Sequence, residues 1–225
     1  VGSRFWPLST EDNPKQFLDF LGTGQSLLQM TFDRFLSSVP KENIFILTND
    51  AYKSKVIDQL KVDKGQVICE PQRKNTAPCI AFATAKILNK DANATLVVTP
   101  ADHLITNEQQ FNSDLDIAIS TAIEEDKLIT FGIKPHRPDT GYGYIEFNDT
   151  DKSQQVQKVL QFREKPDLNK AEEFLNSGNF YWNSGMFIWR GSVLKYSFEK
   201  HCPELFNIFF ANGDAYNKEG EQKFC

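Results

Sequence analysis

The stretch TLVVTPADH at residues 95–103 decides the fold. Its first five residues are apolar or β-branched and read as a short strand, and Pro100 ends it because proline cannot donate to a strand ladder. Residues 43–48 (NIFILT), 66–69 (QVIC) and 128–133 (LITFGI) are strands of the same kind. Between them, residues 26–38, 51–60, 77–89 and 108–123 carry apolar side chains at helical spacing. Short apolar strands alternating with helices predict a doubly wound half, with a parallel sheet covered on both faces. In such sheets ligands bind just beyond the carboxyl ends of strands, which is where Asp102 falls. The competing role for Asp102, and by itself the commoner one, is to cap the following helix.

Past Pro135 the pattern changes. Residues 142–147 (YGYIEF) alternate and 156–162 read as a strand across the polar loop 148–155, so a hairpin makes the sheet mixed. Residues 169–175 read as a helix and 187–189 as a strand. Helices are expected at 192–201, 203–210 and 215–224. There is no internal repeat and no low-complexity linker, so residues 1–225 are expected to form one compact α/β domain. Its sheet is expected to be mixed but mostly parallel, in a Rossmann-like arrangement with helices on both faces.

The 225 residues are 40% hydrophobic and 24% charged, an ordinary globular balance. The 19 Phe are spread through the periodic segments and read mostly as core. No apolar run approaches the roughly 20 residues of a membrane span. A net charge of −5 argues against a broad nucleic-acid surface, so any phosphate recognition must be local. Cys69, Cys79, Cys202 and Cys225 form no C-x-x-C pair and no zinc-like spacing. They read as reduced thiols of a cytoplasmic protein. With no initiating Met, no signal-like segment and a loop at Val1, the chain reads as truncated at both ends.

Four groups of residues carry the chemistry. Gly2, Ser3 and Arg4 open a loop that continues through WPLS to Pro14-Lys15-Gln16-Phe17. Glycine lets backbone N–H groups approach an anion closely, and Arg4 and Lys15 can supply fixed positive charge to a polyphosphate. Asp102, at its strand end, is placed to hold Mg²⁺ against phosphate oxygens. Glu70, Pro71, Asn75 and Thr76 lie between a strand and a helix. Asn75 or Thr76 can cap that helix, with Pro78 in its first turn, and the same loop can face a base or ribose. The last group is GYGY at 141–144, FREKP at 162–166 and WNSGMF at 182–187. Here Gly143 permits close approach, Glu164 and Asn183 suit sugar hydroxyls, and Lys165 suits a phosphate. His103, His136 and His201 form no triad and no metal-ligand cluster in the sequence.

Seven motifs appear in order over residues 1–187: VGSRFWPLS, PKQF, EPQRKNTAP, PADH, TGYGYI, FREKP and WNSGMF. Together they resemble the sugar-nucleotide pyrophosphorylases, and within that family the mannose-1-phosphate guanylyltransferases. The resemblance implies a nucleotidyltransferase fold and the Mg²⁺-dependent formation of GDP-mannose and pyrophosphate from GTP and mannose 1-phosphate. It implies that Gly2, Ser3, Arg4 and Lys15 hold the triphosphate, while Glu70, Pro71, Asn75 and Thr76 serve the base and ribose. Asp102 would bind the metal. Gly143, Glu164 and Asn183 would hold the mannose, and Lys165 its phosphate. Arg4, Lys15, Asp102 and Lys165 are thus the expected catalytic set.

Thr10 and Lys74 stand where the family pattern has Arg, and Cys79 where it has Ala. The family also has a strand and further glycines before the position of Val1, and a second metal-binding Asp in a motif beyond that of Cys225. Two alternatives stay open: a sister enzyme using another nucleotide or hexose, and a non-catalytic regulator that binds nucleotide sugars. Whether an isomerase or other module follows is left open by the sequence. Homo-oligomerisation is open as well.

Overall fold

The computed structural model describes residues 5–70, 76–148 and 155–211. Gly2, Ser3, Arg4, Pro71, Lys74, Asn75 and the helix expected at 215–224 lie outside them. In chain order the elements are α1 (Leu27–Phe35), β1 (Ile46–Asn49), α2 (Lys53–Leu60), β2 (Val67–Glu70), α3 (Thr76–Leu88), β3 (Thr95–Val98) and α4 (Glu108–Glu124). They continue with β4 (Ile129–Ile133), β5 (Tyr144–Phe147), β6 (Val159–Arg163), α5 (Leu168–Ser177), β7 (Phe180–Arg190), α6 (Gly191–His201) and α7 (Pro203–Phe209). None of these helices is long and apolar enough to cross a membrane.

Strand β7 is the axis of the larger sheet. Ile188 pairs with Val97 of β3 and with Ile129 of β4, while Trp182 pairs with Tyr144 of β5 and with Ile133 of β4. Hence β4 follows one edge of β7, and β3 and β5 lie end to end along the other. β6 extends the sheet beyond β5. The expected strand at 187–189 is only the end of this eleven-residue element. Asn183, Ser184 and Gly185 are poor strand formers and hide the rest of it. Gly185 sits at φ 72 in the left-handed region that glycine tolerates. Nearby the ladder to β4 shifts register between Thr130 and Gly132. Ser184 bridges the irregularity, its hydroxyl donating to Phe131 O at 2.8 Å and accepting from Met186 N at 3.1 Å.

The mixed α/β architecture is as the sequence predicts, but the balance of pairings differs from a mostly parallel sheet. Among the described residues β1 and β2 pair in parallel, whereas every ladder of the larger sheet is antiparallel. β3 and β4 do run in the same direction, since both are antiparallel to β7. Their parallelism is mediated by a strand that arrives late in the chain and inserts between them.

Helices cover both faces. Trp189 packs with Ile80, Ala81, Phe82 and Ala85 of α3 and with Leu194 and Phe198 of α6. The next residue back, Ile188, packs with Leu115, Ala118 and Ala122 of α4 on the opposite face. β2 divides in the same way, with Val67 facing Phe32 of α1 and Val56 and Leu60 of α2, and Ile68 facing the α3 layer. α5 covers the far end of β7, where Ala171 and Phe174 meet Tyr144, Phe180 and Trp182. Local signals set the helix ends. Ser26 and Gln29 form a capping box at α1, Asn107 caps α4 and Asp167 caps α5. Because Asn107 caps α4, Asp102 does not serve as the cap of the following helix.

Ile188 is fully buried between the β-sheet and α4. Ile188→Ala is expected to lower unfolding free energy by about 3 kcal/mol, the transfer and cavity terms together. Equilibrium denaturation should show this as a lower midpoint with an unchanged slope.

Candidate active site

Lys15 lies in a single 3₁₀ turn, Lys15–Phe17, anchored by Phe17. Phe17 is buried with Leu28, Phe32 and Val56, so the backbone beneath Lys15 is fixed by the core. The Lys15 ammonium forms an ion pair with Asp102 Oδ2, and both side chains are partly buried. Asp102 follows the carboxyl end of β3, as the strand-end rule requires. Next to the pair is a cleft of about 250 Å³ lined by Gln16, Phe17, Thr48, Pro100, Ala101 and Asp102, among others. Thr48 belongs to β1, so the cleft lies between β1 and the segment that follows β3.

A second group gathers on the amino-terminal half of β7. Gly143 O accepts a hydrogen bond from Asn183 N at 2.8 Å. A β-carbon built on Gly143 would lie 3.6 Å from Glu164 Oε1 and 3.7 Å from Asn183 Cβ. Gly143, Glu164 and Asn183 therefore surround one small space, although they come from three different segments. Asn183 Oδ1 accepts from Gly185 N at 2.9 Å, which fixes the orientation of the amide. Lys165 follows Glu164 directly and stands exposed beyond the end of β6.

Gly185 joins the two groups. A β-carbon there would lie 3.4 Å from Pro100 Cγ, so the bare backbone of β7 packs against the loop that carries Asp102. In the sequence, Gly185 is marked only as part of the WNSGMF motif. Its role as the contact between the Asp102 loop and the Asn183 segment depends on the strand pairing of β7 with β3. Phe17 stands in the PKQF motif and Thr48 in an ordinary apolar strand, and nothing in the local sequence marks either as a cleft wall.

Glu70 ends β2 opposite Asn49 of β1, and Thr76 begins α3 as an exposed residue. The Cys79 thiol is pushed up to about 12, chiefly by burial and then by its hydrogen bond to Glu70 and the charge of that carboxylate. Cys79 is thus a protonated donor to Glu70 and not a nucleophile. His103 Nε2 lies 4.0 Å from Asp102 Oδ1. Burial holds the His103 pKa below the ordinary histidine value, with Lys15 and Arg34 adding to the shift and Asp102 opposing it.

Among the described residues no group of three or more His, Cys, Asp or Glu side chains could enclose a metal ion. Asp102 fits a cation of a different kind. Mg²⁺ commonly takes one or two carboxylates and completes its shell with water and substrate phosphates. The ammonium of Lys15 on Asp102 Oδ2 shows that this position already attracts positive charge.

The nucleotidyl transferase family model matches residues 1–223. The chain is 42% identical over 187 residues to a mannose-1-phosphate guanylyltransferase of Salmonella montevideo, covering 80% of this chain and 39% of that protein. It is 39% identical to the mannose-1-phosphate guanylyltransferase of Klebsiella pneumoniae, covering all of this chain and 50% of that protein. The chain therefore spans half or less of the length of these curated relatives. A crystal structure described as a mannose-1-phosphate geranyltransferase from Thermus thermophilus superposes with a TM-score of 0.85 at 28% identity. That match covers 98% of this chain and 63% of the other.

His103 is expected to titrate below 6.5 in an NMR pH series. Its stability contribution is then fully present above that value and is lost as pH falls toward the folded-state pKa. Asp102→Asn should lower the His103 midpoint further, because it removes the one charge that opposes burial. A midpoint that rises in this variant would contradict the assignment.

Proposed function

Because the chain belongs to the nucleotidyl transferase family, we propose that it transfers a guanylyl group from GTP to mannose 1-phosphate, releasing pyrophosphate. The observation that carries this reading is the juxtaposition across Gly185. A cation–carboxylate pair, Lys15 and Asp102, lies on one side of it, and the Gly143, Glu164 and Asn183 cluster on the other. The similarity to proteins named mannose-1-phosphate guanylyltransferase supports the choice of nucleotide and sugar.

In the reaction an oxygen of the sugar phosphate attacks the α-phosphorus of GTP in line. One P–O bond forms there as the bond from the α-phosphorus to the α–β bridging oxygen breaks, and that oxygen leaves with the pyrophosphate. No strong general base is needed, since a phosphate monoester with a second pKa near about 6 is largely ionised at neutral pH. The protein's work is positioning and charge neutralisation. Lys15, with Arg4 from outside the described residues, would stabilise charge on the departing pyrophosphate. Glu164 and Asn183 would orient the sugar through its hydroxyls, and Gly143 would leave room for it. Lys165 would hold the attacking phosphate. Asp102 would hold Mg²⁺, which when bound supplies Lewis-acid neutralisation of the phosphate oxygens. Glu70 and Thr76, with Pro71, Asn75, Gly2 and Ser3 outside the described residues, would complete the nucleotide side. Free thiols at Cys69, Cys79 and Cys202 are in keeping with a reducing, cytoplasmic setting.

The intact protein should release pyrophosphate from GTP and mannose 1-phosphate only with Mg²⁺ present. Asp102→Ala and Lys15→Ala should each lower kcat/KM by about 10²-fold or more, the cost of losing one charged group aimed at the transferring phosphates. Preference for another nucleotide or hexose phosphate would overturn the specificity and leave the class standing. Binding without Mg²⁺-dependent pyrophosphate release would favour a regulator. Gly143→Ala offers an independent check. Its methyl meets neighbours only at ordinary contact distances, so stability should change by less than about 0.5 kcal/mol. The KM for mannose 1-phosphate should nevertheless rise, because the methyl fills space the sugar needs.

A further inference from the structure

The segment between β4 and β5, residues 134–143, contains an ordered polar network that the proposed reaction does not use. At its centre is Asp139, whose side chain is 20% exposed. Its Oδ2 accepts from Arg137 Nη2 at 2.8 Å and from Arg137 Nε at 3.1 Å, a two-pronged pairing. Its Oδ1 accepts from Gly141 N at 2.8 Å, which folds the chain into a turn just before Gly143. The Asp139 backbone is held from below. Asp139 N donates to Tyr144 Oη at 3.0 Å, and Tyr144 Oη donates to Asp139 O at 2.9 Å. Tyr144 is fully buried under α5 with Phe174, Phe180 and Trp182.

The same network reaches the strand that carries Asn183. The Arg137 guanidinium lies 5.3 Å from the ring centroid of Trp182, with Tyr142 at 5.2 Å and His136 at 5.1 Å from the same ring. Arg137 also donates from Nη1 to His136 Nε2 at 2.8 Å. Trp182 directly precedes Asn183, and Gly143 lies between the turn fixed by Asp139 and the buried Tyr144. The Gly143 O to Asn183 N hydrogen bond thus joins two segments that Asp139 holds from both sides. Arg137 is half exposed, and an ion pair so placed contributes little to global stability. Its effect is on local geometry, in a part of the molecule where small displacements are costly.

We propose that Asp139 is a positioning residue for the sugar-phosphate half of the cleft. It sets the turn that holds Gly143 against Asn183 and Glu164, and through Arg137 it braces Trp182. The inference rests on the functional reading above and adds to it a pair of residues, Asp139 and Arg137, outside the groups assigned to either substrate.

The test is a steady-state comparison of Asp139→Ala, Asp139→Asn and Arg137→Gln in the intact protein, with thermal unfolding measured alongside. Asp139→Ala should raise the KM for mannose 1-phosphate by about tenfold, with the KM for GTP held within about twofold. Asp139→Asn keeps an acceptor for Gly141 N–H but loses the charge facing Arg137, and should give about a threefold rise. Arg137→Gln, at an exposed position, should match it and keep the fold even if Asp139→Ala does not. An unchanged KM for the sugar phosphate in the variants that fold would overturn the assignment. So would equal rises in both KM values, which would mark a general structural role. Absence of pyrophosphate release by the unsubstituted protein with any pair of nucleotide and sugar phosphate would instead overturn the functional reading, and this inference with it.

Discussion

Strand β7 is covered by helices on both faces, so its backbone N–H and C=O groups have little water to turn to and must find partners along both edges. β4 supplies one edge, and β3 and β5 divide the other between them. That division positions the site. β3 delivers the Asp102 loop to one half of β7, and β5 delivers Gly143 to the other. Gly185 lies between the two halves, where a left-handed backbone and the lack of a side chain let the Asp102 loop pack against the strand. Two clusters that are far apart in the chain are carried to the same strand because β7 pairs with both of their carriers.

Charge is handled locally. The chain is acidic overall, yet Lys15 and Asp102 are held together at the carboxyl end of β3, where both are partly shielded from water. Partial burial strengthens their attraction and also raises the cost of leaving either one unpaired. A carboxylate in such a place favours any cation that can reach it. His103 stays neutral beside it because burial outweighs the pull of Asp102. Cys79 stays protonated beside Glu70 for a related reason: burial and a neighbouring negative charge both oppose the thiolate.

Much of the secondary structure is legible in the sequence, because it rests on signals within one segment. The helices at α1, α2, α3 and α4 follow apolar spacing, and the cap at Ser26 and the Asp167 start of α5 are local side-chain bonds. The short apolar strands β1, β2 and β3 fall where their composition puts them. β7 is the exception. Its Asn183-Ser184-Gly185 centre has the composition of a loop, and only the cross-strand bonds of Ser184 and the ladders on either side make it a strand. Three of the antiparallel ladders have the same origin, since they follow from where this one strand inserts, and the fourth is the β5–β6 hairpin.

Residue types are a property of the sequence, and types suited to phosphate and sugar recognition are readable there: Lys15, Asp102, Gly143, Glu164, Asn183 and Lys165. Their grouping is not readable. That Lys15 meets Asp102, that Gly143 meets Glu164 and Asn183, and that Gly185 joins the two depends on strand order and register. These are settled by burying both faces of β7 while satisfying both its edges, a condition on the whole chain that no single segment can express. Asp139 shows the same limit. Its bonds to Tyr144 are local, but its link through Arg137 to Trp182 exists only once β5 and β7 lie side by side.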